Sequence, residues 1–217
     1  TTGGATAGAA ITIQSDNMTL AGAIVSGTGL VTLRANDNAQ AIQVGAGAAD
    51  TAATLGITDA ELDLITTTGG VTIGSSTSTG GITVVGAADQ ATGATITGGT
   101  FTLLQGATGI IRVNAALTNA VATTLQADNI ILVAAIGSGT GLVTLRAASD
   151  AQAIRVGAGA VDNAATLGIT DAELDLITTT GGVTIGAGTS TGGLTVAGVA
   201  DQATGATITG GTFALLQ

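Results

Sequence analysis

AATLGITDAELDLITTTGGVTIG occupies Ala52–Gly74 and returns, without one change, at Ala164–Gly186, an offset of 112 residues. The flanks keep the same offset. GTGLVTLRA at Gly27–Ala35 reappears at Gly139–Ala147, and DQATGATITGGTF at Asp89–Phe101 reappears at Asp201–Phe213. ITIQSDNMTLAGAI (Ile11–Ile24) matches TTLQADNIILVAAI (Thr123–Ile136) more weakly but in register. The chain therefore reads as two copies of one unit, residues 1–105 (lacking the first seven positions) and residues 106–217, which open with GATGIIR. Repeats of this kind grow along one axis instead of closing around a single core. One continuous rod, cut from a longer array, is the expectation, with raw coil edges that associate end to end or fray.

The composition narrows what such a rod can contain. Of 217 residues 36 are Gly and two are Phe, while Trp, Tyr, Pro, His and Cys are absent. No lysine occurs either, so the four cations are Arg34, Arg112, Arg146 and Arg155. Hydrophobic residues still make up 45%, so the interior must be thin and built from Val, Ile, Leu and Ala. The net charge of −10 speaks against nucleic acid, whose phosphates need clustered Lys and Arg, and against anionic membrane surfaces. No apolar run approaches the ~20 residues of a membrane span. No signal peptide is visible at Thr1, so any targeting segment is expected outside this stretch.

Short alternating segments recur: ITIQ (11–14), LVTLR (30–34), AIQVG (41–45), VTIG (71–74), ITVVG (82–86), ATITG (94–98), FTLLQ (101–105) and IIRVN (110–114). Apolar–polar–apolar order with β-branched residues is the period-2 signature of strands buried on one face. Strands this short do not make a thick sandwich, but stacked on their equivalents they make a solenoid. The predicted fold is all-β, a parallel β-helix solenoid with one short helical turn per repeat unit. At about 18–24 residues per coil a unit would hold five or six coils. That count places Glu61 and Glu173 roughly 24–29 Å apart along the axis. The pairs Gly69–Gly70, Gly80–Gly81 and Gly98–Gly99 are predicted corners needing positive φ. Pro, which would interrupt a ladder, is missing throughout.

The exception is ITDAELDLI. Thr58 and Glu61 have the spacing of a capping box, Ile57 and Leu62 that of a hydrophobic staple, and Asp59 and Glu61 fall where a helix dipole favours negative charge. A helical turn is predicted over Asp59–Ile65 and Asp171–Ile177, with Leu62 and Ile65 facing the rod, and loss of Glu61 should cost about 1 kcal/mol. Two other readings stay open: Asp59, Glu61 and Asp63 on one strand face as a calcium site, or a plain solvated acidic strand.

Catalytic chemistry finds little material. Without His or Cys there is no nucleophilic triad and no zinc or haem ligand set. GAGAAD (Gly45–Asp50) and GATGIIR lack the Lys and Ser/Thr of a phosphate loop, and carboxylate pairs lack the aromatic or basic residues that hold sugar. No enzyme, catalytic residue, cofactor or metal is predicted. Arg34 and Arg146 are expected to cover apolar surface or pair with a nearby Asp. Thr12, Thr32, Thr72, Thr83 and Thr102 stand at outward strand positions, with T-x-T at Thr95–Thr97 and Thr207–Thr209. Ranked threonines of this kind make ice binding the alternative function.

TLGITDAELDLITTTGGVTIG with the following GGITV (Gly80–Val84), and DNIILVAAIGSGTGLVTLRA (Asp128–Ala147), resemble repeats of filamentous-haemagglutinin-like proteins. That resemblance covers nearly the whole chain, twice. It implies a right-handed parallel β-helical shaft of a large secreted bacterial adhesin, outside the cell. The clean repetition and the lack of lysine depart from the family pattern. The implied role is mechanical reach and display, with neighbouring repeats and further copies, end to end or side by side, as partners. The host or cell-surface ligand is not specified by these residues, and neither nucleic-acid binding nor membrane insertion is expected.

Overall fold

A computed structural model describes residues 8–89, 95–201 and 207–217. The start of the first unit at Thr1, and Ala94 at the head of the predicted strand ATITG, lie outside the described residues. Within them the protein is all-β: twenty-four short strands and two single-turn helices, with parallel pairing between the strands.

The largest sheet has eight strands in sequence order, from Ile11–Gln14 through Val31–Arg34, Val71–Gly74, Thr100–Leu104, Ala122–Gln126, Val143–Arg146 and Gly182–Gly186 to Thr212–Leu216. Its register stacks like on like. Ile13, Leu33, Ile73, Leu103, Leu125, Leu145, Ile185 and Leu215 form one inward file. The neighbouring inward file carries Val31, Val71 and Phe101, then Thr123, then Val143 and Val183. Thr123 is fully buried among aliphatics, and its hydroxyl is satisfied by the Asn119 amide at 3.2 Å. From Val31 through Val183 the aliphatic members of both files are buried. At the sheet's outer edges Ile11 and Ile13 are only partly buried, and Phe213 is 39% exposed.

The chain comes back to this sheet at unequal intervals. Ile11 is followed in register by Val31, Val71, Phe101, Thr123, Val143, Val183 and Phe213, and the interval from Val31 to Val71 is twice that from Ile11 to Val31. Val31 and Val143 are equivalent positions of the two units, so one unit spans four returns, a whole number but not five or six. Coils of near-uniform length were the wrong unit, because the long interval after Val31 carries an additional strand, Thr54–Ile57. That strand lies alongside Ala41–Val44 within the same interval, with Ile57 beside Val44. Four returns at ~4.8 Å put equivalent residues of this sheet about 19 Å apart along the stacking direction. On the face that carries the additional strand, Ala41–Val44 and Ala153–Val156 stand five strand spacings apart, about 24 Å, the lower end of the expected range.

Most predicted strands appear within a residue or two of their bounds, although among the described residues of ATITG the strand covers Thr95–Ile96 and has ended by Thr97. The helices are shorter than expected. They cover Asp59–Leu62 and Asp171–Leu174, because Ile65 and Ile177 already pair as strand residues with Ile24 and Ile136. Leu62 and Ile65 are both buried, the first from a helix and the second from a strand.

Three predicted glycine corners have positive φ at their second member: Gly70, Gly81 and Gly99. Gly74 shows why such places are closed to other residues. Its φ is +92°, and a Cβ there would lie 2.2 Å from the Leu104 carbonyl oxygen on the adjacent strand. Gly74→Ala is expected to destabilise the protein by at least about 1–2 kcal/mol, read as a lower urea midpoint. Ser76→Ala, on the exposed turn beside it, should change the midpoint little.

Candidate functional site

The acidic residues are the chain's most distinctive chemistry, and nine of the 14 accept hydrogen bonds from backbone amides. The capping box is present at both helices. The Thr58 hydroxyl accepts from the Glu61 amide, while Glu61 Oε2 accepts from the Thr58 amide at 2.9 Å and its hydroxyl at 2.8 Å. Thr170 and Glu173 repeat this. Thr58 is extended and Asp63 closes the turn in helical geometry.

The other carboxylate oxygen reaches much further. Glu61 Oε1 accepts from the Leu20 amide at 2.8 Å, and Glu173 Oε1 from the Leu132 amide at 3.0 Å, each across 41 residues. Two positions upstream of these amides stand Met18 and Ile130. Met18 donates to Asp50 at 3.2 Å, and Ile130 to Asp162. Asp50 and Asp162 also accept from Gly56 and Gly168, at 2.9 and 2.6 Å. The cause is the additional strand. Thr166–Ile169 packs beside Asn129–Leu132 but belongs to a different sheet, so alternate amides along Asn129–Leu132 face a gap in the ladder. Buried amides need acceptors, and two carboxylates fill the gap.

The same solution recurs elsewhere. Asp16 takes the amides of Asn36 and Asp37, and Asp128 those of Thr108 and Ser149. Asp59 and Asp171 take the amides of Asp89 and Asp201. Asp59, Glu61 and Asp63 are therefore not alternating on a strand face. Among the described residues no group of three or more acidic side chains is arranged to hold a metal ion.

Over the gap of the second copy lies an open groove of about 470 Å³, with Ile131, Leu132, Val161 and Leu176 beside Asp162 and Glu173. Burial, and next to it the Glu173 charge, raise the Asp162 carboxyl to about 6 despite its two amide donors. Asp63 is also raised, by burial and then by Asp59 and Asp89. Among the described residues lining this groove the one hydroxyl is that of Thr170, which donates to Glu173 Oε2 at 2.8 Å.

Arg34 and Arg146 find glutamine rather than aspartate. Each guanidinium donates through Nη2 to the side-chain carbonyl of the preceding strand, Arg34 to Gln14 at 2.7 Å and Arg146 to Gln126. The threonines divide. Thr12, Thr32, Thr72, Thr102, Thr124, Thr144 and Thr184 form one unbroken outward file on the eight-stranded sheet, ended by Ala214. Thr83 belongs to no such file, since its partners are Gln43 and Arg112. The side chains of Thr95 and Thr207 lie outside the described residues. Comparison with known proteins adds no relative: no family model, no curated protein and no solved structure matches the chain.

Glu61→Ala removes three hydrogen bonds to a charged acceptor and leaves the Leu20 amide stranded. The expected loss is about 2–3 kcal/mol, more than the roughly 1 kcal/mol of a cap alone, measured by urea unfolding. EDTA should leave the calorimetric Tm unchanged, because these oxygens are already occupied by N–H groups.

Asp162 makes a second expectation. Its folded pKa lies above the unfolded value, so between about 4 and 6 the folded state binds more protons than the unfolded one. Its contribution therefore worsens as pH rises through that window and levels off above about 6. Asp162→Asn keeps an acceptor for Gly168 and removes the titration. The urea midpoint should fall less from pH 4.5 to 7 in the variant than in the parent.

Proposed function

We propose that the chain is part of a right-handed parallel β-helix serving as the structural shaft of a secreted bacterial surface adhesin or extracellular filament. Residues 1–105 and 106–217 are its two units in one continuous rod. The observation that carries this reading is the register of the eight-stranded sheet. Every return of the chain, whatever its length, brings the next strand alongside the last with inward residues on inward residues. Such a chain lengthens without limit and without a new core at each step, which suits reach and display. Its chemistry agrees, since most of the carboxylates hold backbone amides.

Tandem proteins carrying one, two, four and eight copies of the repeat unit, imaged by electron microscopy, test the proposal. Contour length should grow by about 19–24 Å per unit at constant width. Growth in width, or beads joined by linkers, would remove the shaft reading. In the source organism, deleting units should shorten the surface fibre and leave attachment chemistry intact.

The seven-threonine file favours one second reading, ice binding. Its hydroxyls repeat at ~4.8 Å along the rod. The file is one residue wide, with Arg34, Leu104, Gln126 and Arg146 beside it in place of a second threonine rank. Thermal hysteresis above that of a matched inert protein would support ice binding; its absence would remove it.

A further inference from the structure

The outward face of the eight-stranded sheet carries a relief that repeats with the unit. One row presents Leu30, Thr32 and Arg34, and the next presents Gly70, Thr72 and Gly74. The same two rows recur in the second unit, from Leu142 and from Gly182. The first row is a ridge: Leu30 is 40% exposed and Leu142 38%. The second is a trough: Gly70 and Gly74 bring no side chain to the surface and are themselves buried on either side of Thr72. A groove of about 390 Å³ opens there, with Arg34 and Leu104 on either side of Gly74.

We propose that this face docks a second copy of the chain, with the two sheets antiparallel and fully overlapped. A twofold axis lying in the interface along the strand direction, at the middle of the eight strands, reverses strand order and keeps each outward file opposite itself. The second strand then faces the partner's seventh, and the third faces the sixth. Each ridge row meets a trough row: leucine over glycine, threonine over threonine, arginine over glycine. A parallel arrangement would instead set ridge on ridge. The contact is isologous, as in most dimers.

Charge favours the same face. The chain carries −10 overall, yet the eight strands have no carboxylate and two arginines. Copies meeting here keep their acidic surfaces apart. The Gln14 and Gln126 contacts draw each guanidinium toward the preceding strand, which separates the arginines contributed by opposite partners. Eight strands at ~4.8 Å and five residues at ~3.3 Å cover roughly 600 Å² per partner, about 1,200 Å² in total. That is the lower end of specific interfaces and predicts a reversible dimer.

The proposal deepens the shaft reading by naming the face through which shafts bundle, and a rod that stays monomeric would sink it while leaving the shaft intact. Sedimentation velocity from 10 to 500 µM should show the mass doubling with concentration. Thr72→Glu with Thr184→Glu places a carboxylate in each trough at outward, partly exposed positions. With the circular dichroism of the parent retained, the double variant should associate at least tenfold more weakly. Orientation is read by disulfide formation in this cysteine-free chain. Thr32→Cys mixed with Thr184→Cys should cross-link, and Thr32→Cys alone should not. A parent that remains monomeric at 500 µM, a dimer indifferent to the glutamates, or efficient cross-linking of Thr32→Cys to itself would each overturn the proposal.

Discussion

In-register parallel pairing is the interaction on which everything else in this protein depends. A core only a few side chains across has no spare volume, and an aliphatic residue is buried here mainly by its equivalents on the strands before and after it. Leu103 is inaccessible because Ile73 and Leu125 flank it in the same file. A slip of one residue would turn Thr102 inward and Leu103 to solvent. The chain tolerates return intervals as different as Ile11 to Val31 and Val31 to Val71 because it accommodates them in other strands and turns, never in this register.

Where pairing fails, charge takes over. The additional strand in the long interval interrupts a ladder, and its cost is a set of amides with no carbonyl opposite. Asp50, Glu61 and their equivalents supply the missing acceptors. Four of the carboxylates, Asp50, Glu61, Asp162 and Glu173, thus compensate an irregular sheet. Asp162, pressed between the strand it serves and the charge of Glu173, shows the cost of that solution in its raised pKa.

Features encoded within a few residues were legible in the sequence, and those set by neighbours on another strand were not. The capping box was readable from Thr58 and Glu61 alone, since both partners lie within one turn. The destination of Glu61 Oε1 was hidden, because Leu20 is 41 residues away and nothing local marks it. Period-2 alternation marked ITIQ, VTIG and FTLLQ, whereas TLGI at Thr54–Ile57 escaped because Gly56 breaks the pattern and Leu55, Gly56 and Ile57 are all buried. Missing that strand produced the wrong coil count. The glutamine partners of Arg34 and Arg146 follow from register, which composition does not contain.

The whole number of returns in each repeat unit has a bearing on inheritance. Near-identical coding blocks recombine out of alignment, and each such event adds or removes one block. Because a block closes on itself in phase, the strands on either side of the junction meet partners of the same kind as before. A lineage can therefore tune the length of the protein by copy number alone, without a compensating mutation at the seam.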